Sequence, residues 1–356
     1  MEIAVICFTT FGYKLMKKLK SDEFNFILYS KSESLKNLED VREVKTSIIE
    51  WSKEQFNKKR GLLFIGATGI AIRAIAPFVK DKLTDSPVLV MDDKGHYIIP
   101  LLSGHVGLAN ELAVKISDIC TAIPVITTST DIHNKLAVDK WALKNNLRII
   151  NRDGIAKISS KILRDESLNF YISDNENIDM DSYNEFKKNN GNQIKLITGK
   201  ENLEKKIDVA IDEEDIKADL YLKPKKYAVG IGCKKGTKVE KIEALVFKCL
   251  DEAGVSIKDV SAITSIDIKK DEEGIKKFCK KNNLKFITFS KEELLEQTGD
   301  FNESEFVLEQ VGVGNVCERA AMAYWKDEKE IVFPKNSKDG VTVAISKGRW
   351  RIDFYE

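Results

Sequence analysis

Gly61-Leu62-Leu63-Phe64-Ile65-Gly66-Ala67-Thr68-Gly69-Ile70-Ala71-Ile72-Arg73 is the stretch that decides the fold class. Its opening apolar run has the unbroken hydrophobicity of a strand covered on both faces. After Gly66 the apolar residues fall at helical spacing. A buried strand that turns through glycine into a helix is half of a βαβ unit. The alternation extends over the first 145 residues, with candidate strands at 3–8, 26–29, 61–65, 88–91 and 125–128 and amphipathic stretches between several of them. That pattern predicts a largely parallel sheet covered by helices. Residues 97–102 follow the 88–91 run across Asp92-Asp93-Lys94-Gly95 and read as the return strand of a hairpin.

Downstream, residues 146–222 are polar and rich in Lys, Asn and Asp, with weaker strands at 170–172 and 194–197; they read as a smaller middle domain or an elaborated connector. Lys223-Pro224-Lys225-Lys226 reads as a linker, because proline biases the residue before it toward extended backbone. A second α/β pattern starts at Tyr227: strands at 227–231, 262–266 and 285–289, helices at 239–253, 272–282 and 316–325, and a terminal hairpin of 340–345 with 350–354. The expected fold is therefore multidomain α/β, with N-terminal (1–145) and C-terminal (227–356) three-layer α/β units around a polar middle domain (146–222).

The chain has 356 residues, more than one core usually supports. With 57 Lys plus Arg against 56 Asp plus Glu, its formal charge of +1 supplies no global field for nucleic acid or an anionic membrane, so anion binding has to be local. Six cysteines stand far apart without a C-x-x-C pair and read as reduced thiols of a cytoplasmic protein. The N-terminal run is too short for a signal sequence, and no stretch has the length of a membrane span.

Several turns can carry chemistry. Gly66, Thr68 and Gly69 stand where a strand becomes a helix, a place where amides approach an anion closely, and Arg73 lies one turn further on. The run Leu101-Leu102-Ser103-Gly104-His105, with Ala109-Asn110-Glu111 behind it, sets an imidazole on a glycine-flanked loop before a helix, within reach of neutral-pH proton transfer. Glu111 either orients that imidazole or answers the helix dipole. Val125-Ile126-Thr127-Thr128-Ser129-Thr130-Asp131 ends in four hydroxyls and an acid, suited equally to a ligand and to a helix cap. In the C-terminal part, Gly230-Ile231-Gly232-Cys233-Lys234-Lys235-Gly236 approximates a dinucleotide turn whose third glycine comes one position late, and Glu318 follows the turn Gly312-Val313-Gly314. The three histidines lack the spacing of a zinc site, so no protein-bound metal is expected.

Taken in order, the turn ending in Arg73, the Leu-Leu-Ser-Gly-His run, the Val-Ile-Thr-Thr run ending in Asp131 and the lysine-bearing turn at 230–236 resemble the cobalt-precorrin-5A hydrolase family over nearly the whole chain. Leu108 stands where that family's pattern has glycine, and Ser129 where it has alanine. The resemblance implies an enzyme of anaerobic cobalamin (vitamin B12) biosynthesis that opens the δ-lactone of a cobalt corrinoid and releases acetaldehyde. It further implies His105 as general acid/base with Glu111 beside it. Substrate contacts are expected from Gly66, Thr68, Gly69, Arg73, Ser103, Gly104, Asn110, Thr127, Thr128, Asp131, Gly232, Cys233, Lys234, Lys235, Gly236 and Glu318. The cobalt would arrive within the substrate, so no cofactor is required; a homodimer is compatible with the sequence. Two other readings of the residues stay open: an NAD(P)-dependent oxidoreductase using the 230–236 turn, and a corrinoid carrier with no need of a proton-transfer group at 105.

Overall fold

The computed structural model describes residues 1–355 except Lys20, Asp22, Asn37 and Asp215, and of Phe306 the backbone alone. The chain forms two compact units, Met1–Lys140 and Trp141–Glu356. Among the described residues no helix is long and apolar enough to cross a membrane.

The first unit runs β1 (Glu2–Cys7), α1 (Thr10–Met16), β2 (Asn25–Ser30), β3 (Arg42–Glu43), α2 (Ile48–Asn57), β4 (Gly61–Ile65), α3 (Thr68–Ile75), β5 (Val88–Met91), β6 (Tyr97–Leu102), α4 (Ala109–Cys120), β7 (Ile123–Pro124), α5 (Ser129–Ile132) and α6 (Val138–Lys144), the last crossing into the second unit. Its seven strands lie in the order β3-β2-β1-β4-β5-β6-β7. Alternate residues of β1 and β4 feed two cores: Ile3, Val5, Leu63 and Ile65 pack with Leu15, Leu112 and Ile116 on one face. Ala4, Ile6, Leu62 and Phe64 pack with Trp51, Ala71 and Ile75 on the other. Strands β1 to β5 are parallel, as their unbroken apolar runs require.

The hairpin expected at 92–96 forms, with Val88 opposite Leu102 and Met91 opposite Ile98. It reverses the chain, so the carboxyl end of β6 lies at the edge of the sheet where β4 and β5 begin. The strand expected at 125–128 does not form there; the paired residues are Ile123–Pro124, just before it. Val125 adds one more bond, its N–H donating to Ile98 O at 2.8 Å, before the hydroxyl-rich segment turns into α5.

The second unit holds two five-stranded sheets. The first comprises β8 (Leu147–Ile149), β9 (Leu168–Ile172), β10 (Ile194–Thr198), β11 (Val209–Ile211) and β12 (Leu220–Pro224), ordered β10-β9-β11-β12-β8 and flanked by α7 (Asp153–Leu163) and α8 (Met180–Asn190). The second comprises β13 (Tyr227–Cys233), β14 (Val260–Ile266), β15 (Lys285–Phe289), β16 (Lys329–Lys338) and β17 (Val341–Gly348), ordered β15-β14-β13-β17-β16. It is accompanied by helices α9 (Val239–Glu252), α10 (Glu273–Asn282), α11 (Lys291–Leu295), α12 (Glu305–Val311) and α13 (Val316–Ala323).

Three expectations are corrected here. Lys223 and Pro224 are not linker residues but the end of β12, paired with Arg148 and Leu147. The terminal hairpin is β16 with β17, turning at Asp339 and Gly340, both at positive φ; the sequence KEIVFPKNSK hides β16 because its proline and charges lie on an edge strand, where they are tolerated. Residues 350–354 do not return along that sheet. Ile352 instead bridges to Ile178, and Phe354 packs against Trp141, Tyr183 and Phe186, tying the chain's end to the first sheet of this unit.

Gly230 explains one glycine of the approximate dinucleotide turn without a ligand. A Cβ there would lie 1.8 Å from the Cys317 carbonyl oxygen and 3.0 Å from Ala321 N, so α13 can rest on β13 only if position 230 lacks a side chain. Gly230→Ala should cost about 2 kcal/mol or more by overpacking, read as a lower urea midpoint for the second unit. An unchanged midpoint would contradict this packing.

Candidate functional site

The loop between β6 and α4 is shaped by its backbone. Ser103 (φ 59°) and Leu108 (φ 66°) are left-handed, and the Ser103 hydroxyl donates to Asp85 O at 2.9 Å. A Cβ on Gly107 would come within 2.3 Å of Ser103 Cβ, and one on Gly104 within 2.8 Å of Asn110 Oδ1. The N–H groups of Ala109 and Asn110 donate to the carbonyls of Ser103 and Gly104, each at 3.1 Å, and fold the loop over the first turn of α4. Leu108 occupies a left-handed conformation that suits glycine better.

This loop holds His105 between two carboxylates. Nδ1 lies 3.2 Å from Asp139 Oδ1, and Nε2 lies 2.9 Å from Asp131 Oδ2 and 3.1 Å from Thr130 Oγ1. Asn110 Nδ2 donates to Asp131 Oδ2 at 2.8 Å and to Thr128 Oγ1 at 3.0 Å, fixing the second carboxylate from behind. The Asp139 side chain is only 7% exposed and the imidazole 15%, whereas Asp131 is 30% exposed. Asp139 is thus the closed end of the array and Asp131 the open one.

Burial by itself would disfavour a charged ring. The hydrogen bond and charge of Asp139, joined by those of Asp131, outweigh it and raise the imidazole above its ordinary value of 6.5. Burial likewise works against an ionised Asp139, but the hydrogen bond and charge of His105, with Lys82 contributing, hold that carboxyl below its ordinary 3.8. The two carboxylates therefore favour the protonated ring over the neutral one, with Nδ1 facing Asp139 and Nε2 facing the more open Asp131.

Glu111 is not the partner of His105. Its carboxylate meets Lys140 Nζ at 2.9 Å on a half-exposed face, and the carboxylate at His105 Nδ1 is that of Asp139. Asp139 looks in sequence like an ordinary first-turn acid of α6, and no local signal marks it; Thr130 is one hydroxyl of the run before Asp131, with nothing in the sequence to set it apart from its neighbours. The structure gathers Ser103, Gly104, His105, Asn110, Thr128 and Asp131, with Thr127 exposed beside them. Gly66, Thr68, Gly69 and Arg73 lie at the opposite edge of the same sheet, beyond the carboxyl ends of β4 and β5, so they do not share a cleft with Asp131 and Thr128. There Arg73 is exposed and donates to Gly69 O at 3.0 Å.

In the second unit, Gly232 and Cys233 end β13, paired with Thr342 and Val341, and Lys234, Lys235 and Gly236 open the turn to α9, with both lysines exposed. Lys234 N donates to Gly340 O at 3.1 Å and Gly236 N to Glu272 Oε1 at 2.9 Å. Burial raises the Cys233 thiol, which removes it from thiolate chemistry at neutral pH. Glu318 is 2% exposed and spends its carboxylate on Asn302 N (3.1 Å), Lys335 N (2.7 Å) and Asn315 Nδ2. These bonds fix α13 to β16, so in place of a substrate contact Glu318 makes a structural clamp.

The fold and this array define an α/β protein with a histidine set between two carboxylates at one end of its N-terminal sheet. Residues 50–131 match the family Cobalamin synthesis G N-terminal, and residues 227–346 match Cobalamin synthesis G C-terminus. The Cobalt-precorrin-5A hydrolase of Priestia megaterium is 28% identical, over 97% of this chain and 95% of that protein. The protein of the same name from Salmonella typhimurium is 29% identical, over 97% of each. A solved cobalamin biosynthesis protein G homologue from Sulfolobus solfataricus covers 97% of both chains at 23% identity, with a TM-score of 0.37, a superposition too loose to bear on the site. The chain belongs to the cobalamin synthesis G (CbiG) family.

Because the folded pKa of His105 is raised, its stabilisation is complete below about 6.5 and disappears as pH rises through the higher folded value. That of Asp139 persists above the ordinary carboxyl range and is lost as pH falls through its lowered value. The melting-temperature gap between wild type and His105→Gln should therefore be widest near pH 5 to 6.5 and narrow toward pH 9. A gap independent of pH would show that the ring is not charged in the fold.

Proposed function

We propose that this chain hydrolyses cobalt-precorrin-5A, opening its δ-lactone and releasing acetaldehyde to leave cobalt-precorrin-5B. The observation that carries this reading is the His105 ring held between Asp139 and the more open Asp131; the relatives named above support the choice of substrate. Water adds to the lactone carbonyl, and the ester C–O bond breaks to give a carboxylate and a secondary alcohol. The alcohol then loses its proton, its oxygen forms the carbonyl of acetaldehyde, and the carbon–carbon bonding pair passes into the conjugated macrocycle, which is protonated in turn. Each step needs a proton moved at one place. Asp131, the accessible carboxylate, accepts it; His105 Nε2 returns it; Asp139 keeps the ring oriented and charged.

Asn110 and Thr128 position Asp131 and face the reacting group with it. Arg73 and the Thr68–Gly69 amides are at the far edge of the sheet and take no part in this step. The cobalt ion is part of the substrate, and the chemistry needs no resident cofactor. The reading is tested by incubating the purified chain with cobalt-precorrin-5A and quantifying acetaldehyde; a bound corrinoid without product would make the chain a carrier, and consumption of NAD(P)H would make it an oxidoreductase.

Within that assay, Asp139→Asn should lower kcat by roughly 10- to 100-fold with KM little changed, since it loosens the ring without touching substrate. Its pH profile should shift toward lower pH as the imidazolium loses its partner. Glu111→Gln should stay within about twofold of wild type, as expected for one partner of an exposed ion pair. Equal losses in the two variants would remove the distinction drawn between them.

A further inference from the structure

In the second unit, away from the histidine, a cluster of basic groups forms where β8 and β12 of the first sheet meet the starting ends of β14 and β15. Lys225 is pinned there by its backbone: its N–H donates to Asn146 O at 3.1 Å and its carbonyl accepts from Ser261 Oγ at 2.6 Å. Lys285 Nζ donates to Asn146 Oδ1 at 2.9 Å. Arg148 Nη2 stands 3.0 Å from Asp259 Oδ1. Arg148 and Lys285 both lie close enough for their charges to act on Lys225, and Asp259 is the carboxylate that opposes them there. Three cations thus face one acid.

Two donors in this cluster have no acceptor among the described residues. Arg148 Nε is buried without an acceptor, and the ammonium of half-buried Lys225 has no hydrogen-bond or ion-pair partner among the described residues. A partly buried cation crowded by like charge is costly unless an anion compensates it. In agreement, burial depresses both lysines, and for Lys225 the charges of Lys285 and Arg148 depress it further. Asn146, held at φ 53°, aims its amide at both sides of the cluster, to Lys285 through Oδ1 and, through Nδ2, to Tyr324 OH at 3.4 Å.

We propose that Arg148, Lys225 and Lys285 form a binding site for a small oxyanion, a carboxylate or a phosphate. The anion would accept from Arg148 Nε and the Lys225 ammonium and neutralise the excess charge. The inference does not depend on the catalytic reading, since its test uses no corrinoid.

The test measures the melting temperature of the full chain against millimolar inorganic phosphate and, separately, citrate, with sodium chloride matched for ionic strength. These concentrations are far below those at which such salts stabilise proteins generally. Wild type should melt several degrees higher in at least one oxyanion than in matched chloride; a rise in citrate alone identifies a carboxylate ligand, and a rise in phosphate alone a phosphate. Lys225→Met should abolish the rise, and by removing an uncompensated cation it should melt no lower than wild type in chloride. Lys285→Gln, on a more exposed side chain, should weaken the response at least tenfold in apparent affinity and serves if Lys225→Met folds poorly. No rise beyond chloride in wild type, or an equal rise in both variants, would overturn the proposal.

Discussion

The ring of His105, 3.2 Å from Asp139 and 2.9 Å from Asp131, ties together three segments: the loop after β6, the short helix α5 and the start of α6. Without the ring's charge, two carboxylates would face the same small space, one of them almost wholly buried. Lys82 does not replace it, since its ammonium reaches Asp139 at 3.5 Å from a side chain 61% exposed. A surface pair of that kind contributes at most about 1 kcal/mol, whereas hydrogen bonds to a partly buried ion contribute about 1.5 to 3 kcal/mol. The ring therefore sets both the charge state and the geometry of its neighbours, and the tight backbone at Ser103, Gly104, Gly107 and Leu108 serves to place it.

Where that ring lies follows from a topological detail. Parallel strands β1, β4 and β5 end together, and the usual expectation puts a ligand beyond those ends. The hairpin from β5 to β6 carries the chain back, so His105 emerges at the other edge, and β7, parallel to β6, delivers Thr128 and Asp131 to the same place. The glycine turn at Gly66 keeps the commonly expected position and stands apart from the chemistry. One reversal of direction thus separates motifs that lie within 40 residues of one another.

The legible parts of the sequence were those in which local pattern and burial agree. Unbroken apolar runs at Gly61–Ile65 and Val88–Met91 announced two-faced burial, and both became central strands. Lys329–Lys338 escaped because an edge strand keeps its charges and proline, and Lys223–Pro224 because a proline beside lysines looks like a linker until Arg148 and Leu147 supply a partner from 75 residues away. The site shows the same division. His105 and Asp131 were marked by glycines and by a hydroxyl-rich turn. Asp139 was not, because the property that matters, burial against an imidazole 34 positions distant, leaves no trace in the residues around it. Glu111 was favoured for its nearness in sequence, and Lys140 claims it in space.

That charge state is the claim on which the account turns, and nitrogen NMR of the histidine rings in the full chain reads it directly. The resonances of His105 should show a ring protonated at both Nδ1 and Nε2 on the acid side of a titration midpoint above 6.5, a midpoint that falls in Asp139→Asn. A ring titrating at or below 6.5 and indifferent to Asp139 would contradict it.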